Sequence, residues 1–326
     1  MLEHGGNLTA AAQRYGLPLA HWLDLSTGIN PMGYPVPPIP GDAWLHLPQE
    51  QDGLPDAAAS YYGTPHVLAA AGTQAILQTL PRLRPPCRVA IPAPVYAEHP
   101  KAWTGSGHQV ARYAPEDILQ AECEVLLLCN PNNPTGHRYS RNALLDCRDR
   151  LTAQGGWLIV DEAFLDCRPE ESLAALAGEP GLIVLRSLGK FFGLAGARVG
   201  FALAWPALLA ELGEALGPWP ISGPARIAAQ AALRDQAWHD NTRRRLASDA
   251  QRLSQLLVNC GLTAAGGTEL FQYLRTPHAG VLHEHLARQG ILTRRFADPA
   301  ALRFGLPATD ADWQRLQQAL SGYRLP

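Results

Sequence analysis

Lysine is nearly missing from this chain of 326 residues: Lys101 and Lys190 are the only two among 27 lysines and arginines. Charge of one sign is also lacking. The formal net charge is −2 and charged residues make up 17% of the chain, so there is no basic field of the kind that binds nucleic acid. No apolar run is long enough to span a bilayer. The six cysteines, Cys87, Cys123, Cys129, Cys147, Cys167 and Cys260, form no CxxC pair and no short-range framework. They are expected as reduced core residues of a cytoplasmic protein. Met1 to Gly6 shows no basic segment followed by an apolar one, so a secretory leader is not expected. His283-Glu284-His285 is not expected to hold a metal, because residues two apart on a helix do not share a face. The run Arg243-Arg244-Arg245 reads as a solvated helix face.

What is present is organised. Hydrophobic residues amount to 47%, enough for a substantial core in one large domain or two. The first 40 or so residues are rich in Gly and Pro and predict turns and extended chain. A short helix is predicted over 55–62, and Gly72-Thr73-Gln74 opens a helix running to about Leu83. Apolar strands follow at 88–91, 124–129, 157–160, 182–185 and 199–203, with a helix over 140–154. Continuous apolar strands separated by helices predict an α/β fold with a mainly parallel central sheet and helices on both faces. After about residue 205 the pattern predicts helices at 206–216 and 223–260, strands at 269–274, 291–294 and 301–305, and a last helix over 309–321. These form a smaller α+β domain.

Four segments carry chemistry. Gly72-Thr73-Gln74 stands at a helix start, where free backbone N–H groups bind phosphate. Asn130-Pro131-Asn132-Asn133-Pro134-Thr135-Gly136 follows a strand directly, the place where open α/β sheets bind ligands. Asp161-Glu162-Ala163-Phe164 ends another strand, and a carboxylate there can pair with a protonated pyridine nitrogen. Ser187 to Arg198 surrounds Lys190 with glycines, a hydroxyl and an arginine. A lysine so placed can form a Schiff base with an aldehyde, beside groups able to hold a phosphate. Tyr96 adds an aromatic face for stacking. Each segment alone has a bland explanation; their order and strand-end placement together suit a phosphorylated pyridine aldehyde.

Over nearly its whole length the chain resembles the fold-type I pyridoxal-phosphate enzymes, the aspartate aminotransferase superfamily. The resemblance implies a PLP-dependent transferase fold with pyridoxal 5'-phosphate on Lys190. Asp161 would pair with the pyridine nitrogen, Asn133 with the ring hydroxyl, and Tyr96 would stack. Thr73, Gln74, Ser187 and Arg198 would hold the phosphate. It also implies a homodimer. The domain layout expected is an N-terminal arm over 1–40 that contributes to the active site, a large cofactor domain over 41–220, and a small domain over 221–326. Two positions depart from the pattern. Phe164 stands where many relatives carry a tyrosine, so the nitrogen bonded to Lys190 is expected to keep its proton to higher pH. Leu47 stands where relatives often place a tyrosine that reaches the partner subunit's phosphate site.

The opening His4-Gly5-Gly6-Asn7, with Leu23 to Pro31, resembles the branch of L-threonine-O-3-phosphate decarboxylases of cobalamin biosynthesis. That branch is close kin of the histidinol-phosphate aminotransferases. By this resemblance His4 meets a substrate phosphate, Asn30 and Arg303 bind the substrate carboxylate, and Arg294 is a candidate for the phosphate. A guanidinium suits a carboxylate through two parallel bonds. Decarboxylation is the expected reaction. Transamination of the histidinol-phosphate type stays open, as does a non-catalytic partner protein that binds the cofactor. The residues are nearly the same in each case.

Overall fold

The computed structural model describes residues 4–323. Its strands are β1 (Leu23–Leu25), β2 (Val67–Ala70), β3 (Arg88–Pro92), β4 (Gln109–Tyr113), β5 (Val125–Cys129), β6 (Trp157–Asp161), β7 (Leu182–Ser187), β8 (Gly200–Leu203), β9 (Gly266–Thr268), β10 (Phe271–Arg275), β11 (Ile291–Phe296) and β12 (Ala301–Gly305). The chain forms two compact units. One comprises 33–133 and 137–240; the other comprises 1–32, 134–136 and 241–326.

The larger unit is built on a seven-stranded sheet in the order β2-β8-β7-β6-β5-β3-β4. Strands β3 to β7 pair in parallel, while β8 runs antiparallel to both β7 and β2. Every residue of β5, β6 and β8 is buried, which is why these strands read as unbroken apolar runs. Side chains that include Ile76, Trp103, Leu127, Ile159 and Leu208 make one continuous core. The helix Gly72–Thr79 continues as a 3-10 turn over Leu80–Leu83, so the expected helix holds to its end with a tighter last turn.

Two expectations shift. The predicted helix over 223–260 is two helices, Gly223–Arg234 and Gln236–Asn259. Asp235 breaks it, and its carboxylate caps Trp238 N at 2.9 Å. The larger unit also takes in 33–40 and 221–240, which the sequence reading gives to the arm and the small domain. The physical reason is visible: Gly223–Arg234 packs on the helix Leu54–Tyr62, and buried Arg226 forks onto Asp52 at 2.7 and 2.8 Å.

The smaller unit carries a five-stranded sheet, β1-β11-β12-β10-β9, parallel only between β1 and β11. Its N-terminal part is more regular than its Gly and Pro content predicts. Asn7 Oδ1 accepts from Ala10 N to start a helix over Leu8–Tyr15, which Gly16 ends in the left-handed region. All six cysteines are free; Cys123, Cys129 and Cys147 are buried and the other three partly so. His283 and His285 lie on the helix Ala279–Ala287 and bond in different directions, to Thr293 Oγ1 at 2.9 Å and to the Ala319 carbonyl at 2.8 Å.

Candidate active site

The cofactor-side candidates all lie on the larger unit, at or just beyond the carboxyl ends of its strands. Thr73 and Gln74 follow β2, Tyr96 follows β3, and Asn133 follows β5. Asp161 closes β6, Ser187 closes β7, and Lys190 and Arg198 sit in the turn between β7 and β8. A parallel sheet delivers all these loops to one edge, so residues over 120 positions apart come to one place.

The candidate phosphate-side residues pack closely at two glycines. Gly72 has φ +74, and a Cβ there would stand 2.7 Å from Arg198 Nη2. A Cβ on Gly200 would stand 2.4 Å from Thr73 N. Arg198 itself adopts φ 54, unusual for a residue with a side chain, and its Nη1 donates to the Ala195 carbonyl at 3.1 Å. Ser187 Oγ accepts from Gly189 N at 3.1 Å. The result is a helix N-terminus, a guanidinium and a hydroxyl on one glycine-lined corner, a donor set that fits a phosphate.

The ring-side residues are tied to one another. Asn132 Nδ2 donates to the Pro94 carbonyl at 3.0 Å, joining the asparagine loop to the segment that carries Tyr96. Asn130 exchanges two bonds with the backbone of Tyr139, at 2.9 and 3.2 Å, and closes that loop. Tyr96 OH donates to Gln74 Oε1 at 3.4 Å. Burial, then the charges of Glu98 and Asp161, pushes the Tyr96 phenol up to about 12, so it is neutral at physiological pH. Lys190 Nζ stands 5.3 Å from the centre of the buried Phe164 ring.

Two partners were not evident from sequence. His99 is fully buried, and its Nε2 lies 3.0 Å from Asp161 Oδ2. Asp161 Oδ1 accepts from Ala163 N at 3.0 Å, so both carboxylate oxygens are engaged. The only sequence signal for His99 is its spacing, one helical turn after Tyr96. Cys129, which reads as a core residue, has its sulfur within 4.8 Å of both His99 and Asp161 ligand atoms. Burial, then the Asp161 charge, holds its thiol well above the usual range.

The substrate-side candidates lie on the smaller unit. His4 is exposed at the start of the described chain. Next to it, Gly5 lies against the Ser26 backbone so closely that a Cβ would stand 2.4 Å from Ser26 O, and Gly6 N donates to Ser26 Oγ at 2.7 Å. Arg303 Nη2 donates to the same Ser26 carbonyl at 2.8 Å. Arg294 and Arg303 face each other across β11 and β12. Burial, then the Arg294 charge, pushes Arg303 down to about 10, against a smaller opposing pull from Asp24. Two neighbouring guanidiniums, one of them buried, are suited to an anion with more than one negative charge. Asn30 Oδ1 accepts from Arg245 Nη2 at 2.7 Å and from Met32 N at 3.0 Å. Arg245 therefore holds Asn30 and also pairs with Asp249 at 3.2 Å, and the arginine run is not simply a solvated face.

The chain belongs to the aminotransferase class I and II family, whose model matches residues 46–320. Within that class it is similar over its full length to a threonine-phosphate decarboxylase of Pseudomonas aeruginosa, 53% identical over 100% of this chain and 99% of that one. A threonine-phosphate decarboxylase of Sinorhizobium is 44% identical over 99% of both chains. Among solved structures, histidinol-phosphate aminotransferase from Sinorhizobium meliloti in complex with pyridoxal-5'-phosphate superposes with a TM-score of 0.80 at 23% identity, covering 98% of this chain and 94% of that one. That likeness establishes the fold.

Proposed function

We infer that this chain is a pyridoxal-phosphate enzyme that decarboxylates L-threonine O-3-phosphate to 1-aminopropan-2-ol O-2-phosphate, a step of cobalamin biosynthesis. The observation that carries this reading is the full-length similarity, at 53% identity, to a threonine-phosphate decarboxylase. The residues at the strand ends fit the cofactor: a corner for its phosphate, a lysine, and a carboxylate for its ring nitrogen. Bound there, pyridoxal phosphate supplies a carbonyl for amines and a ring that withdraws electrons from Cα.

The protein's own groups have separable tasks in this reading. Lys190 would hold the cofactor and, in its free amine form, would return a proton to the substrate Cα. Asp161, held by His99 and Ala163 N, keeps a proton on the ring nitrogen. Tyr96 covers the ring face, and Asn133 meets the ring hydroxyl. Thr73, Gln74, Ser187 and Arg198 hold the cofactor phosphate. Asn30 and Arg303 take the substrate carboxylate, and His4 and Arg294 its phosphate. Which Cα bond is activated would depend on how the substrate carboxylate is held. The groups that hold the carboxylate therefore choose decarboxylation over transamination.

The same reading makes the protein a homodimer in the cytoplasm. Supporting the dimer, Trp44, Leu45 and Leu47, neighbours on one segment of the larger unit, are 69%, 80% and 63% exposed, a run of large apolar side chains of the kind found at interaction surfaces. Supporting the compartment, the cysteines are unpaired. Among the described residues no helix is long and apolar enough to cross a membrane.

The test is carbon dioxide release from L-threonine O-3-phosphate by cofactor-loaded protein without any oxo acid. Release that disappears in Lys190→Ala is the expected result. No release, with amino transfer from histidinol phosphate to 2-oxoglutarate, would replace the reading by an aminotransferase.

A further inference from the structure

Directly behind the candidate site, three fully buried charged groups form a network that the proposed chemistry does not use. Arg186 Nη1 donates to Glu162 Oε2 at 2.7 Å, and its Nη2 pairs with Asp166. All three side chains are at most 2% exposed. Glu162 Oε1 accepts from Leu173 N at 2.8 Å, and Oε2 also takes the Ser172 hydroxyl. Tyr61 OH donates to Asp166 Oδ1 at 3.1 Å, and the guanidinium lies 5.0 Å from the centre of the Tyr62 ring. The Tyr61 ring in turn meets Phe192, two residues past Lys190, at 5.6 Å.

The placement of this network follows from strand geometry. Successive side chains on a strand point to opposite faces. Glu162 follows Asp161 and Arg186 precedes Ser187, so each partner of the buried pair is one residue from a cofactor-side candidate and points the other way. The strands β6 and β7 are in register with Asp161 opposite Leu185, and Glu162 N donates to Leu185 O at 2.9 Å. The Arg186–Glu162 pair therefore spans the two strands at the point where both enter the site.

Stability alone gives such a network little reason to exist. Buried ion pairs are often matched or exceeded in stability by apolar side chains of similar volume. Their distinctive property is fixed geometry, and the planar fork of Arg, reaching two carboxylates at once, fixes it in a way that a lysine cannot.

We propose that Arg186, forked between Glu162 and Asp166, is a positioning residue that sets the spacing between the Asp161 carboxylate and the Ser187 hydroxyl. The proposal rests on the reading of Asp161 as the ring-nitrogen partner and Ser187 as a phosphate ligand. Ring nitrogen and phosphate belong to one rigid molecule, so both contacts are made together only at one strand spacing.

The test compares Arg186→Lys, Glu162→Gln and the apolar trio Arg186→Met/Glu162→Leu/Asp166→Leu with wild type. It measures the pyridoxal-phosphate dissociation constant, the pH profile of the bound cofactor's visible absorption, and the melting temperature of the cofactor-free protein. The apolar trio is expected to melt close to wild type, to bind the cofactor at least about tenfold more weakly, the scale on which supporting residues act on a site, and to show a displaced pH profile; Arg186→Lys, which leaves one buried carboxylate without its cation, is expected to melt lower and to show the same displaced profile. Where Arg186→Lys does not fold, Glu162→Gln, which keeps shape and size, gives the same comparison. Wild-type affinity and profile in the folded variants overturn the proposal. So does weaker binding that merely tracks a loss of cofactor-free stability. Wild-type protein that takes up no pyridoxal phosphate, or whose visible band survives in Lys190→Ala, overturns the underlying reading instead and the proposal with it.

Discussion

His99 Nε2 and Asp161 Oδ2 stand 3.0 Å apart, the histidine fully buried and the aspartate nearly so. The ring donates to a carboxylate whose other oxygen is held by Ala163 N. Asp161 therefore has a fixed orientation as well as a charge. In His99→Leu the carboxylate loses its side-chain donor while the packing volume is roughly kept. A hydrogen bond to a charged group contributes about 1.5–3 kcal/mol, so kcat for carbon dioxide release is expected to fall roughly ten- to a hundredfold, with KM little changed. Steady-state kinetics give both constants, and an unaltered kcat would show that His99 only fills space.

Phe164 presents an apolar ring to Lys190, 5.3 Å from Nζ to the ring centre. A ring face favours a positive charge, and Phe has no hydroxyl to donate to the cofactor's ring oxygen. In the proposed function both effects would keep a proton on the nitrogen by which Lys190 holds the cofactor. In Phe164→Tyr the midpoint of the visible absorption change is expected at lower pH than in wild type. Spectroscopic pH titration of the two cofactor-loaded proteins measures this directly; coincident midpoints would remove Phe164 from the account.

Arg303 is a buried guanidinium whose charged form is disfavoured, first by burial and then by Arg294. Its protonation equilibrium is shifted down to about 10, so at neutral pH it stays charged in the folded and unfolded chains alike. The cost to folding is therefore constant through the neutral range and eases only as pH rises through about 10. Arg303→Met is expected to melt no lower than wild type at neutral pH, by a margin of about 1 kcal/mol in its favour, and to lose substrate binding. Thermal melts with and without L-threonine O-3-phosphate read both effects. A variant that still gains stability from the substrate would take Arg303 out of the site.

Trp44, Leu45 and Leu47 lie within four residues of one another, and all are well exposed. The Ala43 backbone beside them packs on Gly223, where a Cβ would stand 2.6 Å from Ala43 O. The segment is thus fixed while its apolar side chains face outward. The combined change Trp44→Ser, Leu45→Ser and Leu47→Asp is expected to convert a dimer to a monomer with little change in the cofactor-free fold. Light scattering with size-exclusion chromatography distinguishes the two. A wild-type monomer, or a triple variant that stays dimeric, would place the interface elsewhere.

Much of the architecture was legible because its strands are covered on both faces. Val125 to Cys129 and Trp157 to Asp161 are apolar runs that need no partner to be recognised. The short or half-exposed elements were not legible. Strand β4, with its exposed Gln109, Ala111 and Arg112, shows no such run, and the helix Leu8–Tyr15 buries only Ala11. The cofactor-side candidates stood out because each is a chemically distinctive residue at the end of a strand.

The amino-acid sequence by itself determined the α/β class, the family, the single lysine set among glycines, and the order of the candidate site residues along the chain. These are local properties of composition, periodicity and motif. Only the tertiary structure decided which side chains support them. His99 meets Asp161 across 62 positions, Arg245 holds Asn30 across 215, and Arg186 reaches Glu162 across 24. Such pairings depend on how helices and loops pack against the strands, which brings distant backbone together, and no local pattern in the sequence encodes the distances between them.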